Sequence, residues 1–260
     1  MSKLKSLLSA LVLGMAVQAV AVTAAHAKDI VVGTSVALTG KYARTGQEQL
    51  HGFEMWVDDV NARGGLLGRK VKLIHYDDES KPETGAKLYE KLITDDKVDL
   101  LIGPYSSAVT MAASTVAEKH GMPMVSAGAS SSEIWERGYK NIFGLYTPAN
   151  TYMDQIFDFA KSKGLKRVAL IYENTAFPID VANGVRAAAK RLGMEIVFDE
   201  EYGKAVTDFS SMIIRMKVKK PDIVVGGSYL PDSVGFIRQA KENLLNAPIF
   251  AFAVGPALPD

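Results

Sequence analysis

The chain has 260 residues, 48% of them hydrophobic and 23% charged, with a formal net charge of +1 and no cysteine. This composition supports a globular core of one large or two medium domains and excludes a disulfide framework. The near-neutral charge leaves no basic footprint for nucleic acid and no attraction to an anionic membrane surface.

Lys3 and Lys5 precede an uncharged apolar stretch from Leu7 to Val22, and Ala25-His26-Ala27 then sets small residues on either side of a bulky one. These are the three parts of a cleavable secretory signal peptide, so residues 1–27 are expected to be removed and the mature chain to begin near Lys28. The apolar run falls short of the ~20 residues that span a bilayer and contains Gly14 and Gln18. With no cysteine to take a lipid at the cleavage point, the exported product is expected to be soluble.

Short apolar runs then alternate with amphipathic stretches, the rhythm of a parallel sheet with helical crossovers. Strands are predicted at Asp29 to Leu38, Lys70 to Asp77, Asp99 to Gly103 and Met124 to Ser126. In the first helix Leu50, Phe53, Val57 and Val60 recur at three and four, with Trp56 beside them, until Gly64-Gly65 ends it. Further helices are predicted at Glu83 to Thr94 and Ser107 to His120. Tyr146-Thr147-Pro148-Ala149-Asn150 reads as a connection in which Asn150 caps the next helix.

Beyond it the pattern restarts, with helices at Thr151 to Gly164, Ile179 to Leu192 and Asp208 to Lys219. Strands are predicted at Arg167 to Tyr172, Glu195 to Asp199, Asp222 to Gly226 and Ile249 to Phe252. Asp99-Leu-Leu-Ile-Gly103 is echoed by Asp222-Ile-Val-Val-Gly226, each followed by a loop bearing Tyr and Ser and then a helix. The expected fold is α/β: two Rossmann-like lobes, residues 28–147 and 148–260, each a parallel sheet flanked by helices. Ligands on such sheets collect outside the carboxyl ends of the strands.

Catalytic motifs fail on inspection. Gly33 to Lys41 has the wrong spacing for a phosphate loop and Tyr42 where Ser or Thr would bind magnesium; Gly226-Gly-Ser-Tyr-Leu230 lacks the closing glycine of a nucleophile elbow. His51, His75 and His120 share no ligand spacing, and Asp77-Asp78-Glu79 reads as a solvated loop before a helix rather than as a metal site. The chain is accordingly read as a non-enzyme with no cofactor and no metal. An exported serine hydrolase is the rival from another class, weakened by the lack of a histidine paired with any serine.

Two loops suit binding. Gly103-Pro-Tyr-Ser-Ser107 enters a helix and sets hydroxyls and free backbone N–H groups at the positive end of its dipole, where a carboxylate is favoured. Ser126-Ala-Gly-Ala-Ser-Ser-Ser132 follows the next strand with small residues that let backbone approach a ligand. Plain capping by Ser is the competing reading of the first loop.

Ser35-Val-Ala-Leu-Thr-Gly40, Asn61-Ala-Arg-Gly-Gly65, Tyr76-Asp-Asp78, Gly103-Pro-Tyr-Ser-Ser107 and Gly226-Gly with Arg238-Gln-Ala240 come in order along the chain. In these motifs, from Asp29 onward, it resembles the type I periplasmic solute-binding proteins, branched-chain amino acid group. The resemblance implies a periplasmic receptor of an ABC importer whose lobes close on an amino acid or small organic carboxylate, with an inner-membrane permease as partner. A ligand sensor of the same fold is the alternative. By position, the ligand-binding residues become Ser107 with Ser106 beside it, then Gly128, Ala129 and Ser130. Phe177 and Tyr229 are the aromatics expected to cover the ligand from the second lobe, although packing would account for either.

Two departures stand out. Where the family carries an acid for the ligand ammonium, this sequence reads Gly255-Pro-Ala-Leu-Pro259, and Ala257 accepts no hydrogen bond through its side chain. Either Asp232 or another group substitutes, or the ligand has no ammonium. The family pattern also continues past the point where Asp260 ends this sequence, so the second lobe is expected to be incomplete.

Overall fold

The computed structural model describes residues 28–255. The proposed signal peptide and Ala257 lie outside them. Two parallel sheets carry the fold. The first contains β1 (Ile30–Val36), β2 (Val71–Asp77), β3 (Leu100–Gly103), β4 (Met124–Ser126) and β5 (Ile142–Gly144) in the order β2-β1-β3-β4-β5. The second contains β6 (Arg167–Glu173), β7 (Glu195–Tyr202), β8 (Ile223–Gly227) and β9 (Ile249–Phe252) in the order β7-β6-β8-β9. Strand by strand, β1 and β6 hold the same station, as do β2 and β7, β3 and β8, β4 and β9. The repeat read from the two Asp-led strands is therefore a repeat of topology.

Those aspartates do the same work in both lobes. Asp99 Oδ2 accepts from the Val31 amide at 2.8 Å, and Asp222 Oδ2 accepts from the Lys166 and Arg167 amides at 2.8 and 2.9 Å. Each carboxylate thus satisfies backbone donors where the neighbouring strand begins.

Helices follow the strands. In the first lobe they are α1 (Ala43–Ala62), α2 (Pro82–Thr94), α3 (Ser107–Lys119) and the single turn α4 (Glu133–Glu136). In the second they are α5 (Asp154–Ser162), α6 (Ala176–Leu192), α7 (Ser210–Val218) and α8 (Leu230–Glu242). Strand pleating sends alternate residues to opposite faces. Val168, Leu170, Ile223 and Val225 pack with Phe157, Val181 and Val185 of α5 and α6. Ala169, Ile171 and Val224 pack with Met212, Ile213 and Phe236 of α7 and α8. In the first lobe α2 and α3 cover one face, with Tyr89, Leu92 and Ala113 over Leu101 and Met124. On the other face Val60 and Val57 of α1 pack with Ile30 and Val32 of β1, Val71 and Leu73 of β2 and Ile102 of β3. Trp56, expected on the apolar stripe, is exposed, as are Val125 and Phe143 on the open part of that face.

The lobes are joined by residues 145–153. The connection is pinned at both sides: the Ala149 amide donates to the Ser130 carbonyl at 2.9 Å, and a Cβ on Gly184 of α6 would lie 1.8 Å from the Asn150 carbonyl oxygen. Only glycine permits that approach. Asn150 does not cap a helix. It lies in a 3₁₀ turn (Ala149–Thr151) and its amide donates to Ser132 Oγ at 3.1 Å, so α5 begins later than the sequence predicts. β5 and α4 were not predicted; three and four residues are too short for periodicity to register.

Candidate functional site: the cleft between the lobes

The carboxyl ends of the two sheets face each other, and a cavity of about 320 Å³ lies between them. That is near the lower end of ligand-site volumes, which suits a compact solute. One side is polar: Thr45 at the start of α1, Ser107 at the start of α3, and Gly128 and Ser130 after β4. The rest is mostly aromatic, with Tyr105, Tyr146, Tyr152, Phe177 and Tyr229, and is completed by Ala253, Val254 and Gly255 after β9. None of the described residues that line the cavity carries a charge.

Ser107 is the hub of the polar side. Its Oγ accepts from the amides of Ser130 and Ser131 at 3.3 and 3.2 Å. Two N–H donors on its lone pairs turn the hydroxyl proton outward, so the group is set to donate. Gly128 is required by the close approach of the Tyr105 loop: a Cβ there would lie 2.9 Å from both Tyr105 Cα and Gln49 Nε2. Burial raises the Tyr229 phenol well above its ordinary pKa and pushes that of Tyr105 up to about 12. Both phenols are neutral at pH 7, so the aromatic wall adds no charge to the cavity.

Away from the cavity the cleft turns ionic. Lys41, in the loop after β1, extends its ammonium between two buried carboxylates of the second lobe, Glu173 at the end of β6 and Asp232 in the first turn of α8. Its Nζ pairs with Glu173 Oε2, lies 2.8 Å from Asp232 Oδ1 and donates to the Lys204 carbonyl at 3.1 Å. Thr175 Oγ1 donates to Glu173 at 2.8 Å and the Tyr202 hydroxyl to Asp232 at 3.2 Å. Lys204 crosses in the opposite direction, donating to the Ser80 carbonyl at 2.8 Å. Burial lifts the Asp232 carboxyl to about 6, against the pull of Lys41. Tyr42 links the two regions: its ring centroid lies 4.4 Å from that of Tyr229 and 5.9 Å from that of Tyr105.

The periplasmic binding protein family model matches residues 29–258. This chain belongs to that family. Among its relatives is the Leu/Ile/Val-binding protein homolog 8 of Brucella suis, 34% identical over 250 residues, which cover 92% of this chain and 61% of the relative. Among solved structures it resembles the branched-chain amino acid transporter substrate-binding protein of Streptococcus pneumoniae in complex with isoleucine, with a TM-score of 0.79, 27% identity, and coverage of 86% of this chain and 64% of that one. A solute-binding protein of an ABC transporter from Rhodopseudomonas palustris, in complex with 3,4-dihydroxybenzoic acid, has a TM-score of 0.77 and 26% identity, with 86% and 61% covered. The chain thus spans about three fifths of the length of these relatives.

Within this periplasmic binding protein fold, Ser107, Gly128, Ser130, Phe177 and Tyr229 all line the inter-lobe cavity. Ser106 and Ala129 stand apart from it. Ser106 Oγ accepts from the Val109 amide at 3.2 Å and so caps α3, while Ala129 packs in the first-lobe core. Asp232, weighed as a substitute partner for an ammonium, is engaged by Lys41 and Tyr202 instead. Asp77 and Asp78 are spent on loops: Asp77 accepts from Leu38, Thr39 and Glu79, and Asp78 from Ser35 at 2.9 Å and from Ser80. Sequence reasoning missed Thr45, Tyr105, Tyr146, Tyr152 and the segment Ala253-Val254-Gly255 as cavity residues. Tyr146 and Tyr152 flank the polar connection between the lobes, and nothing in that local pattern separates a cavity wall from a linker.

Proposed function

We propose that this chain is the solute-binding component of an ABC importer, acting in the periplasm, without catalysis, and delivering a small organic carboxylate to an inner-membrane permease. The observation that carries the reading is the division of the cavity into a donor-rich end around Ser107 and an uncharged aromatic wall. An oriented hydroxyl donor at a helix N-terminus favours a carboxylate. Five aromatic rings favour an apolar or aromatic body.

A buried ammonium without a carboxylate partner is costly, and the described lining offers none. An organic acid lacking an ammonium therefore fits better than an amino acid. The relative holding 3,4-dihydroxybenzoic acid supports this reading. A branched-chain amino acid is the second reading, supported by the relative holding isoleucine. Calorimetric titration with 3,4-dihydroxybenzoate and with isoleucine separates them. Binding of the aromatic acid alone is the expected result, isoleucine alone would overturn the preference, and tight binding of a neutral sugar alone would overturn the carboxylate site.

A further inference from the structure

We propose that Lys41 is a positioning residue for solute binding, one that sets how far the lobes favour closure from a place outside the cavity. Lys41 does not line the cavity. It belongs to the first lobe, yet the acceptors of its ammonium are Glu173, Asp232 and the Lys204 carbonyl, all in the second. Glu173 is fully buried and Asp232 nearly so, and each is held by a neighbour of its own, Thr175 or Tyr202. The second lobe thus presents a preformed pair of carboxylates, and the first lobe supplies the cation.

Parting the lobes withdraws that cation. Two carboxylates close enough to share one ammonium then face each other, which disfavours both being ionised at once. Removing one partner of a buried pair is also costly because it leaves the remaining charge without compensation. The pair therefore works as a clasp whose strength belongs to the closed form.

The clasp reaches the cavity through Tyr42, the next residue, which is buried in the second-lobe core and packs on two rings of the cavity wall, Tyr105 and Tyr229. Closure completes clasp and cavity together. A solute that binds the closed form has an apparent affinity scaled by the fraction of molecules closed, so a residue that never touches the solute still tunes its affinity.

The effect on affinity rests on the solute-binding reading, but the effect on closure does not, and the test separates them. Because the chain lacks cysteine, Lys87→Cys and Ser211→Cys place one spin label on the exposed surface of each lobe, and pulsed dipolar spectroscopy gives the distribution of distances between them. With Lys41→Met a longer-distance population is expected, with the closed-to-open ratio lowered at least about tenfold, whereas Lys41→Arg retains most of the closed form. Glu173→Gln with Asp232→Asn is the second variant and is expected to open the cleft as well. Titration of the Lys41→Met protein with 3,4-dihydroxybenzoate and isoleucine should weaken whatever binding exists by one common factor. An unchanged distance distribution in both variants overturns the clasp, as does a change in preference between the two acids. If neither acid binds the parent chain, the solute reading fails while the distances still decide the clasp.

Discussion

The two ends of the cleft are built from equivalent parts of the two lobes and hold them together by different physics. At the cavity, uncharged rings and hydroxyls meet across a space that a solute can fill. At the clasp, an ammonium and two carboxylates meet with no space between them. Contact among rings is tolerant of small displacements and gains with area, whereas a buried ion pair repays its desolvation only at good geometry. The comparison separates selectivity from closure: on the proposed reading the cavity sets which solute is preferred, and the clasp sets what fraction of molecules is closed and so scales every affinity alike.

Tyr229→Ala should break the aromatic end most severely. Removing a fully buried ring that packs on Tyr42, Tyr105 and Phe177 is expected to cost about 3–5 kcal/mol, read as a lowered urea midpoint with an unchanged slope. The ionic end should show itself in pH. Asp232 is held at about 6 against an ordinary 3.8, so its contribution to stability is fully present below pH 3.8 and is lost as pH rises through about 6. At about 1.4 kcal/mol per pH unit across that window, the change is on the order of 2–3 kcal/mol. Glu173, Lys41, Tyr202, Tyr42 and Lys204 surround or adjoin the group, and other carboxylates titrate nearby in pH. The measurement is therefore the difference in unfolding free energy between the parent and Asp232→Asn from pH 3.5 to 7.5, and a flat difference would overturn the assignment.

Two adjacent serines sharpen the comparison further. Ser107→Ala removes the oriented donor and should weaken binding of the probe acids about tenfold or more, since hydrogen bonds to charged groups contribute about 1.5–3 kcal/mol. Ser106→Ala removes a helix cap and should cost about 1 kcal/mol of stability while leaving the affinity of the folded protein unchanged. Equal effects of the two substitutions on affinity would mean that the loop, rather than one hydroxyl, holds the solute.

Local pattern made much of this legible. The apolar strands, the Asp-led repeat and the two small-residue loops at 103–107 and 126–132 are written in contiguous residues, but the choice of Ser107, Gly128 and Ser130 within those loops rests on family resemblance, which also pointed to Ser106 and Ala129. Phe177 and Tyr229 were reached through family resemblance, because a ring after a strand has no local mark that separates ligand contact from packing. The clasp was illegible for a stronger reason. Lys41 and Glu173 are 132 positions apart, and nothing near either residue signals the other. Asp232 looked available for an ammonium in sequence because the lysine that occupies it comes from the opposite lobe.

The meeting of equivalent edges bears on symmetry. The loops after β1 and β6 oppose each other, as do those after β2 and β7. In a true two-fold dimer of identical halves, each side chain near the axis meets its own copy, so a lysine there would confront a lysine and a glutamate a glutamate. Carrying both halves in one chain frees them from that constraint. One half contributes the cation and the other the anions, and a contact that symmetry would have made repulsive becomes a directional fastening with a defined donor side and a defined acceptor side.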